Sequence, residues 1–398
     1  MRDFWENIKA RLSKLGDEEV RILGRGIKRS YLLLAAVLIV AVAILAPIVI
    51  SLSNREVSIE LERTDIEPGH TYRVNDGVVF YETEHYYVSI DPNESTRVEQ
   101  VELYVDADGY DMSSSVRLLY LGSSAQIMGQ DAFVMGGGET ILSGRAGRRY
   151  AAFLYRNQYG DSRILLVDAQ SRPTTEVVAT IPIAGGEVTA FGFLEASNNS
   201  ELLWVSTVDV NQFSEEAIVR VYNCDRSGGL MFYSASFYNQ TIEDVRLTSR
   251  CLFLIGTQDI VRYDRTDDGF SSERARISIY GSRVIDCKEA QDGSSAYFVT
   301  LPETEAGEQT RLFRLLTVSQ SDESWATVLQ QFMSAPIVSA FLQNNRICIV
   351  TDEAYEEYSY AGKSQLILDL NVTPKAVIPA ETTFLLFTDT VVYRATVS

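Results

Sequence analysis

Short apolar segments arranged in pairs dominate the chain beyond residue 55. In each pair, two hydrophobic runs of three to five residues are joined by polar or glycine-containing residues, which is the pattern of a β-hairpin. Eight such pairs can be identified: Val78–Tyr81 with Tyr86–Ile90, Leu118–Leu121 with Ala125–Met128, Ala151–Tyr155 with Ile164–Val167, Leu202–Ser206 with Ile218–Tyr222, Leu252–Ile255 with Ile260–Tyr263, Ala296–Thr300 with Leu312–Leu315, Ile347–Thr351 with Leu366–Leu368, and Phe384–Phe387 with Val391–Tyr393. Sustained helical periodicity is almost absent, so the pattern predicts an all-β fold.

The spacing of the pairs indicates a repeated unit. They recur roughly every 40–50 residues, and flanking runs such as Val188–Leu194 and Val177–Ile183 add strands before and after a hairpin. Four strands in a unit of about this length are typical of a β-propeller blade. Tandem β-sandwiches are the alternative fold, although their strands would show no repeat of this length.

The two ends of the repeat region suggest how the ring closes. The last unit stops at Ser398 without a fourth strand, whereas Val57–Glu62 reads as a strand without a partner. Pairing the two would remove exposed sheet edges. We therefore predict a closed β-propeller over residues 53–398, with eight blades favoured and seven as the alternative.

A long uncharged segment precedes the propeller region. Tyr31–Leu52 contains no charged residue, and 22 residues in a helix span roughly 33 Å, enough to cross the hydrocarbon layer. Arg21, Arg25, Lys28 and Arg29 crowd its near end, so the positive-inside rule places the N-terminus in the cytoplasm. The sequence thus predicts a single-pass protein of the cell membrane with an extracellular C-terminal domain.

A cleaved signal peptide is the alternative for this segment. It fits poorly because thirty mostly polar residues come first and the apolar run exceeds the length of a signal core. Residues 1–30 form a basic leader in which Phe4, Trp5, Ile8, Leu12 and Leu15 share one helical face. An amphipathic helix on the inner leaflet and a simple basic leader both fit this pattern.

The charge of the chain excludes one class of partner. The formal net charge is −19, with 49 of the 54 Asp and Glu residues after residue 30. Nucleic acid requires a basic surface, so it is not an expected partner. The expected partners are the membrane, through Tyr31–Leu52, and a protein or cell-wall ligand of the outer domain.

In layout the chain resembles a group of single-span membrane proteins from clostridia and related Gram-positive bacteria. Members of the group have a short basic leader, one span and an extracytoplasmic propeller of quinoprotein or WD-like type, a domain of unknown function. The resemblance covers the segment from Arg25 to Leu52 and the hairpins above, with strand patterns such as Ile164-Leu-Leu-Val-Asp168. It implies an architecture and no activity.

Few residues suggest metal chemistry. Asp106, Asp108 and Asp111 partly match a calcium-binding loop, but one ligand and the glutamate at position twelve are missing, so a solvated hairpin tip is the favoured interpretation. The four cysteines lack metal-site spacing and permit two disulfides; Cys251 and Cys348 lie in apolar strands typical of buried thiols, whereas Cys224 and Cys287 give no further signal.

No catalytic motif is recognisable in the sequence. It contains neither a Gly-x-Ser-x-Gly elbow nor a phosphate-binding loop, and a quinone would lack most of its stacking tryptophans. The predicted function is therefore a binding or scaffolding module at the cell surface, without a cofactor. A cell-surface enzyme whose site is assembled from propeller loops, and a single-span sensor, are the alternatives.

Overall fold

The computed structural model describes residues 19–22, 25–28, 57–102, 107–171, 174–183, 186–196, 200–210, 215–226, 228–233, 237–266, 269–304, 308–319 and 324–398. The chain divides into two units, Met1–Ser58 and Ile59–Ser398. In the first unit, β1 (Glu19–Ile22) pairs antiparallel with β2 (Arg25–Lys28). The predicted span Tyr31–Leu52 and the predicted helical face from Phe4 to Leu15 lie outside the described residues. Within the described residues, no helix has the length and apolar character needed to span a bilayer.

The second unit consists of eight antiparallel sheets of the same plan. The first four blades are formed by β4 (Arg73–Asn75), β5 (Val78–Glu82), β6 (Tyr86–Ile90) and β7 (Glu99–Glu102); β8 (Gly109–Met112), β9 (Arg117–Leu121), β10 (Ser124–Ile127) and β11 (Phe133–Val134); β12 (Thr140–Ala146), β13 (Tyr150–Arg156), β14 (Ser162–Asp168) and β15 (Glu176–Pro182); and β16 (Glu187–Ala196), β17 (Ser200–Val210), β18 (Glu215–Asn223) and β19 (Gly229–Tyr233), with β20 (Phe237–Tyr238) also on β18.

The remaining four blades complete the ring. They are formed by β21 (Ile242–Leu247), β22 (Cys251–Gly256), β23 (Asp259–Thr266) and β24 (Gly269–Ser278); β25 (Ser282–Glu289), β26 (Ser295–Pro302), β27 (Leu312–Ser319) and β28 (Trp325–Phe332); β29 (Ile337–Gln343), β30 (Arg346–Thr351), β31 (Ala354–Ser359) and β32 (Ser364–Asp369); and β33 (Ala376–Pro379), β34 (Phe384–Phe387) and β35 (Val392–Val397), with β3 (Ile59–Arg63) as the outer strand. The all-β, eight-bladed propeller predicted from the sequence is confirmed.

The ring closes as predicted. Strand β3 pairs antiparallel with β35, with Ile59 opposite Val397 and Arg63 opposite Tyr393. The Arg394 guanidinium forms an ion pair with Glu62 at 2.7 Å, and the Thr64 amide donates to the Val392 carbonyl at 2.9 Å. The first strand of the propeller therefore supplies the fourth strand that the last blade lacks.

The hydrophobic core lies between consecutive blades as eight separate clusters. Alternate residues of a middle strand pack on opposite neighbours: Leu252 and Leu254 of β22 face blade 4, whereas Phe253 and Ile255 face blade 6. A strand buried on both faces reads as a continuous apolar run, which explains why the middle strands were the ones visible in the sequence. Outer strands such as β28 and β32 are mostly exposed or half-buried.

Blade 7 differs from the prediction. Its β30 pairs with β31, a strand that lies in a segment read as a polar loop, and 366–368 belongs to the outer strand β32. Strand β31 contains Glu356 and Glu357, and both side chains are buried. Hydrogen bonds offset the cost of burying them: Tyr358 Oη donates to Glu356 at 2.7 Å, and Tyr355 Oη donates to Glu357 at 2.9 Å. Burial raises the pKa of both tyrosines, so they remain donors.

Candidate interaction surface

The connections between strands define two faces of the ring. We call the face on which β3 begins and β35 ends the seam face. The turns from the first to the second strand and from the third to the fourth strand of each blade lie there. The far face holds the turns from the second to the third strand and the connections from one blade to the next. The inner strands line the channel between the two faces.

A buried carboxylate joins blades 3 and 4 at the seam face. Glu201, at the start of β17, is 5% exposed and accepts hydrogen bonds from the backbone amides of Arg148 at 2.5 Å, Arg149 at 2.8 Å and Tyr150 at 3.1 Å. Burial raises the pKa of Glu201, whereas the three amide donors lower it. The side chain fixes the first turn of blade 3 against the next blade.

Further polar contacts cross blade boundaries at the seam face. Arg148 of blade 3 pairs with Asp76 of blade 1 at 2.8 Å and with Glu195 of blade 4 at 2.5 Å. Asp76 also accepts from the Ser114 amide at 3.3 Å, and Glu289 accepts from the Ser249 amide at 2.8 Å. The seam face is therefore braced between several blades.

The channel uses aspartates in the same way. Asp111 Oδ2 of β8 accepts from the Ala146 amide of β12 at 2.8 Å, and Asp286 Oδ2 of β25 accepts from the Leu342 amide of β29 at 2.8 Å. Each bond joins the inner strands of adjacent blades. Burial raises the pKa of Asp111 to about 6 and also raises that of Asp286.

A cavity of about 1000 Å³ lies along the inner strands of blades 1 to 5. Three arginines line it: Arg73 lies 5.1 Å over the Tyr110 ring, Arg145 lies 5.4 Å over the Phe191 ring, and Arg246 pairs with Asp244 at 2.6 Å. Acidic and basic side chains both line the walls, so the cavity suits a small polar molecule rather than an apolar one. Asp111 lies in the same wall.

The predicted calcium loop is only partly described. Asp106 lies outside the described residues. Asp108 Oδ2 accepts from the Gly122 amide of its own blade at 2.6 Å, whereas Asp111 bonds to blade 3. The two carboxylates thus serve different neighbours. Across the described residues, no group of three or more His, Cys, Asp or Glu side chains is arranged to hold a metal.

All four cysteines are free thiols. The prediction that Cys251 and Cys348 are buried is confirmed, and Cys224 is buried as well. Burial raises the pKa of Cys251 to about 11. A thiol of this pKa is a poor nucleophile at neutral pH, so these residues act as small core side chains.

Large apolar side chains are exposed at the far face. Tyr159 is 80% exposed, Tyr280 79% and Phe332 70%, and Tyr238 is also exposed. They belong to blades 3 to 6, in connections or at strand ends of this face. Among the described residues, the large exposed apolar side chains at the seam face are aliphatic and include Met128 in a connection and Val177 and Leu230, 55% and 56% exposed, near the start of outer strands. Exposed aromatic residues in one sector are typical of a protein interface.

The charges follow the same division. Among the described side chains of the connections, the far face has eleven carboxylates and two cations, whereas the seam face has seven carboxylates and five cations. The far-face residues are Asp65, Glu67, Glu84, Asp108, Glu139, Asp161, Glu303, Glu308, Asp352, Glu353 and Asp389, with Arg311 and Lys375. The seam-face residues are Asp76, Asp91, Glu94, Asp131, Asp225, Asp292 and Glu381, with Arg97, Arg148, Arg149, Arg250 and Lys363.

Sequence reasoning did not identify this surface. Tyr159 lies in the turn Asn157-Gln-Tyr-Gly160 between two buried strands, and Tyr280 precedes Gly281. A tyrosine within turn residues between apolar strands is a usable signal, because turns of this kind lie at the surface. This signal indicates a shared surface only when the strand order shows that the two turns lie on the same face.

Comparisons with known proteins support the fold alone. No protein-family model matches the chain, and no curated protein matches it in sequence. Among solved structures, Sqt1 from Saccharomyces cerevisiae is similar with a TM-score of 0.52 at 10% identity, over 86% of this chain and 98% of that one. BamB from Moraxella catarrhalis has a TM-score of 0.50 at 8% identity, over 85% and 100%. The Dos1 propeller has a TM-score of 0.52 at 6% identity, over 84% and 95%.

Proposed function

We propose that this protein is a membrane-anchored propeller that binds or scaffolds a protein partner outside the cytoplasm. The observation that carries the proposal is the far-face sector of Tyr159, Tyr238, Tyr280 and Phe332, because large exposed aromatic side chains are costly on a surface without a partner. Tyrosine also provides a large contact area at low conformational cost, which makes it effective at interfaces. A propeller presents such side chains on a rigid ring.

The anchoring part of the proposal comes from the sequence. Tyr31–Leu52 is long and apolar enough to span the bilayer, and the basic residues before it favour a cytoplasmic N-terminus. We propose membership in the Gram-positive group of single-span propeller proteins on the same grounds. A cell-wall polymer is the alternative ligand to a protein.

A second candidate function is a cell-surface enzyme. Asp111 favours it, because a carboxylate with a pKa of about 6 in a cavity with arginines could exchange a proton near neutral pH. Its hydrogen bond to the Ala146 amide gives it a structural role instead, and we propose a binding protein without catalytic activity or cofactor.

The first experiment tests orientation. Protease is added to intact cells or protoplasts that express the full-length protein with a tag at each end. We expect loss of the C-terminal tag and survival of a small N-terminal fragment. A C-terminal domain that resists protease until the membrane is lysed contradicts the proposed orientation.

The second experiment tests binding. Intact cells are treated with an amine-reactive crosslinker that cannot cross membranes, and the full-length protein is solubilised and purified. We expect one or a few defined crosslinked protein species. Absence of any adduct at every crosslinker length, combined with turnover of a small molecule that Asp111→Asn abolishes, would support the enzyme instead.

A further inference from the structure

We propose that the far face binds a basic protein segment that presents aromatic or aliphatic side chains. The inference rests on the proposed binding function and adds the chemistry of the partner. It follows from two features that coincide on one face: an excess of carboxylates and a sector of exposed aromatic rings.

The carboxylate excess extends beyond the connections. The strand residues that border them at this face add six carboxylates, Glu82, Glu102, Glu187, Glu215, Asp259 and Asp369, and three arginines, Arg63, Arg73 and Arg156. The equivalent strand ends at the seam face add four carboxylates, Glu99, Asp168, Glu176 and Glu289, and two arginines, Arg117 and Arg346, so the excess of carboxylates among its described residues is smaller. A field concentrated on one face steers a partner of opposite charge to that face and disfavours acidic partners.

Several of these carboxylates are available to a partner. Glu303, Glu308 and Glu353 are exposed, and among the described residues none has a cation within ion-pair distance. They lie in the equivalent turns of blades 6 and 7, the blades next to Tyr280 and Phe332. At the seam face, in contrast, Asp76 and Glu195 are already paired with Arg148.

The exposed aromatic rings of the far face would supply the affinity that the carboxylates alone do not. Exposed ion pairs contribute little free energy because water and salt screen them, so charge alone gives a fast but weak encounter. Burying Tyr280 and Phe332, at present 79% and 70% exposed, removes apolar area from water and supplies affinity. Tyrosine and phenylalanine faces also attract lysine and arginine. A segment that alternates basic and apolar residues fits both features.

The test uses the full-length protein in a neutral detergent and a labelled peptide of four Lys-Lys-Phe-Gly repeats. Fluorescence anisotropy is measured for the wild type, for the far-face variant Glu303→Gln/Glu308→Gln/Glu353→Gln, and for the seam-face variant Glu94→Gln/Asp131→Asn/Glu381→Gln. All six side chains are exposed and both variants change the net charge by the same amount. Thermal melting of each variant checks that the fold is intact.

We expect the far-face variant to bind the peptide at least fivefold more weakly at low salt, and the seam-face variant to stay within twofold of the wild type. A peptide of Glu-Glu-Phe-Gly repeats should not bind. The variant Tyr280→Ala/Phe332→Ala should also bind the basic peptide more weakly than the wild type does. Equal weakening by both charge variants, or binding of the acidic peptide, overturns the inference. Crosslinked protein partners that persist in the far-face charge variant would overturn it while leaving the proposed binding function intact.

Discussion

The two faces of this ring are built from the same repeated turns but use their polar side chains differently. At the seam face, Glu201 and Arg148 are committed to neighbouring blades through short hydrogen bonds and ion pairs. At the far face, Glu308 and Glu353 are exposed and the rings of Tyr159 and Tyr280 extend into solvent. Polar side chains of the seam face brace the ring, whereas these side chains of the far face are exposed to solvent.

The acidic residues of this chain therefore have two different roles, one structural and one electrostatic. A buried carboxylate that accepts backbone amide hydrogen bonds from the next blade satisfies donors that have no strand partner at the blade boundary, as Glu201 does for three amides and Asp111 for one. A carboxylate in a solvent-exposed turn contributes mainly to the electrostatic field. Net charge alone cannot distinguish the two, because the difference arises from burial and geometry.

The largest expected effect on stability comes from removing β3, the strand that closes the ring. Deletion of residues 57–63 should strongly destabilise the propeller, because it leaves the outer edge of β35 unpaired and removes the Glu62–Arg394 ion pair. Thermal unfolding of the full-length protein measures this. An unchanged melting temperature would mean that the ring does not close through β3.

A single seam-face carboxylate should have the next largest effect. Glu201→Gln replaces one of the two oxygens that accept from the three amides with an NH2 group that can only donate, and we expect a loss of about 2–4 kcal/mol. The matched control is Glu195→Gln, whose ion pair with Arg148 is half-exposed and should cost about 1 kcal/mol or less. Equal losses in the two variants would contradict the distinction between buried braces and surface pairs.

The channel aspartate should make stability depend on pH. Burial raises the pKa of Asp111 to about 6 in the folded protein, whereas an ordinary aspartate, as in the unfolded chain, has a pKa of 3.8. The folded state therefore holds the proton more tightly than the unfolded chain does. This contribution is fully present below about pH 4 and is lost as pH rises through 6, with an upper value of ~3 kcal/mol.

Asp111→Asn cannot ionise, so its stability relative to the wild type should rise between pH 4 and pH 7. Melting temperatures of both proteins across this range measure the difference. A constant difference across this range would show that Asp111 is already ionised at pH 4.

The smallest effect on stability is expected at the far face. Tyr159→Ala/Tyr280→Ala removes rings that are about 80% exposed, so the free energy of unfolding should change by about 0.5 kcal/mol or less. Binding should nevertheless fall, as measured by the yield of crosslinked partner. The control is Met128→Ala on the seam face, which should change neither quantity. A large loss of stability in the tyrosine variant would assign the rings to the fold.

The sequence predicted the parts of the fold that depend on local burial. Strands such as β13 and β22 were recognisable because both of their faces pack on neighbouring blades. Strand β31 was missed because Glu356 and Glu357 look like loop residues until their tyrosine partners are known. The prediction of β3 as the closing strand succeeded because an unpaired strand and an incomplete blade were both visible.

The candidate site could not be predicted in the same way. Glu201 meets amides about fifty residues away in sequence, and nothing local marks it as a brace. The placement of Tyr159, Tyr280 and Phe332 on one face depends on which end of each strand points to that face, and so on the full strand order. The acidic triplet from Asp106 to Asp111 was the nearest local signal, and its described members have hydrogen-bond partners in different blades.

Site-specific photocrosslinking in intact cells tests the central claim most directly. A photoreactive phenylalanine is placed at Tyr159, Tyr280 or Phe332 on the far face, and at Met128 or Leu230 on the seam face, in the full-length protein. We expect adducts to the same partner from the far-face positions and none from the seam-face positions. Adducts that arise mainly at Met128 or Leu230 would contradict this assignment.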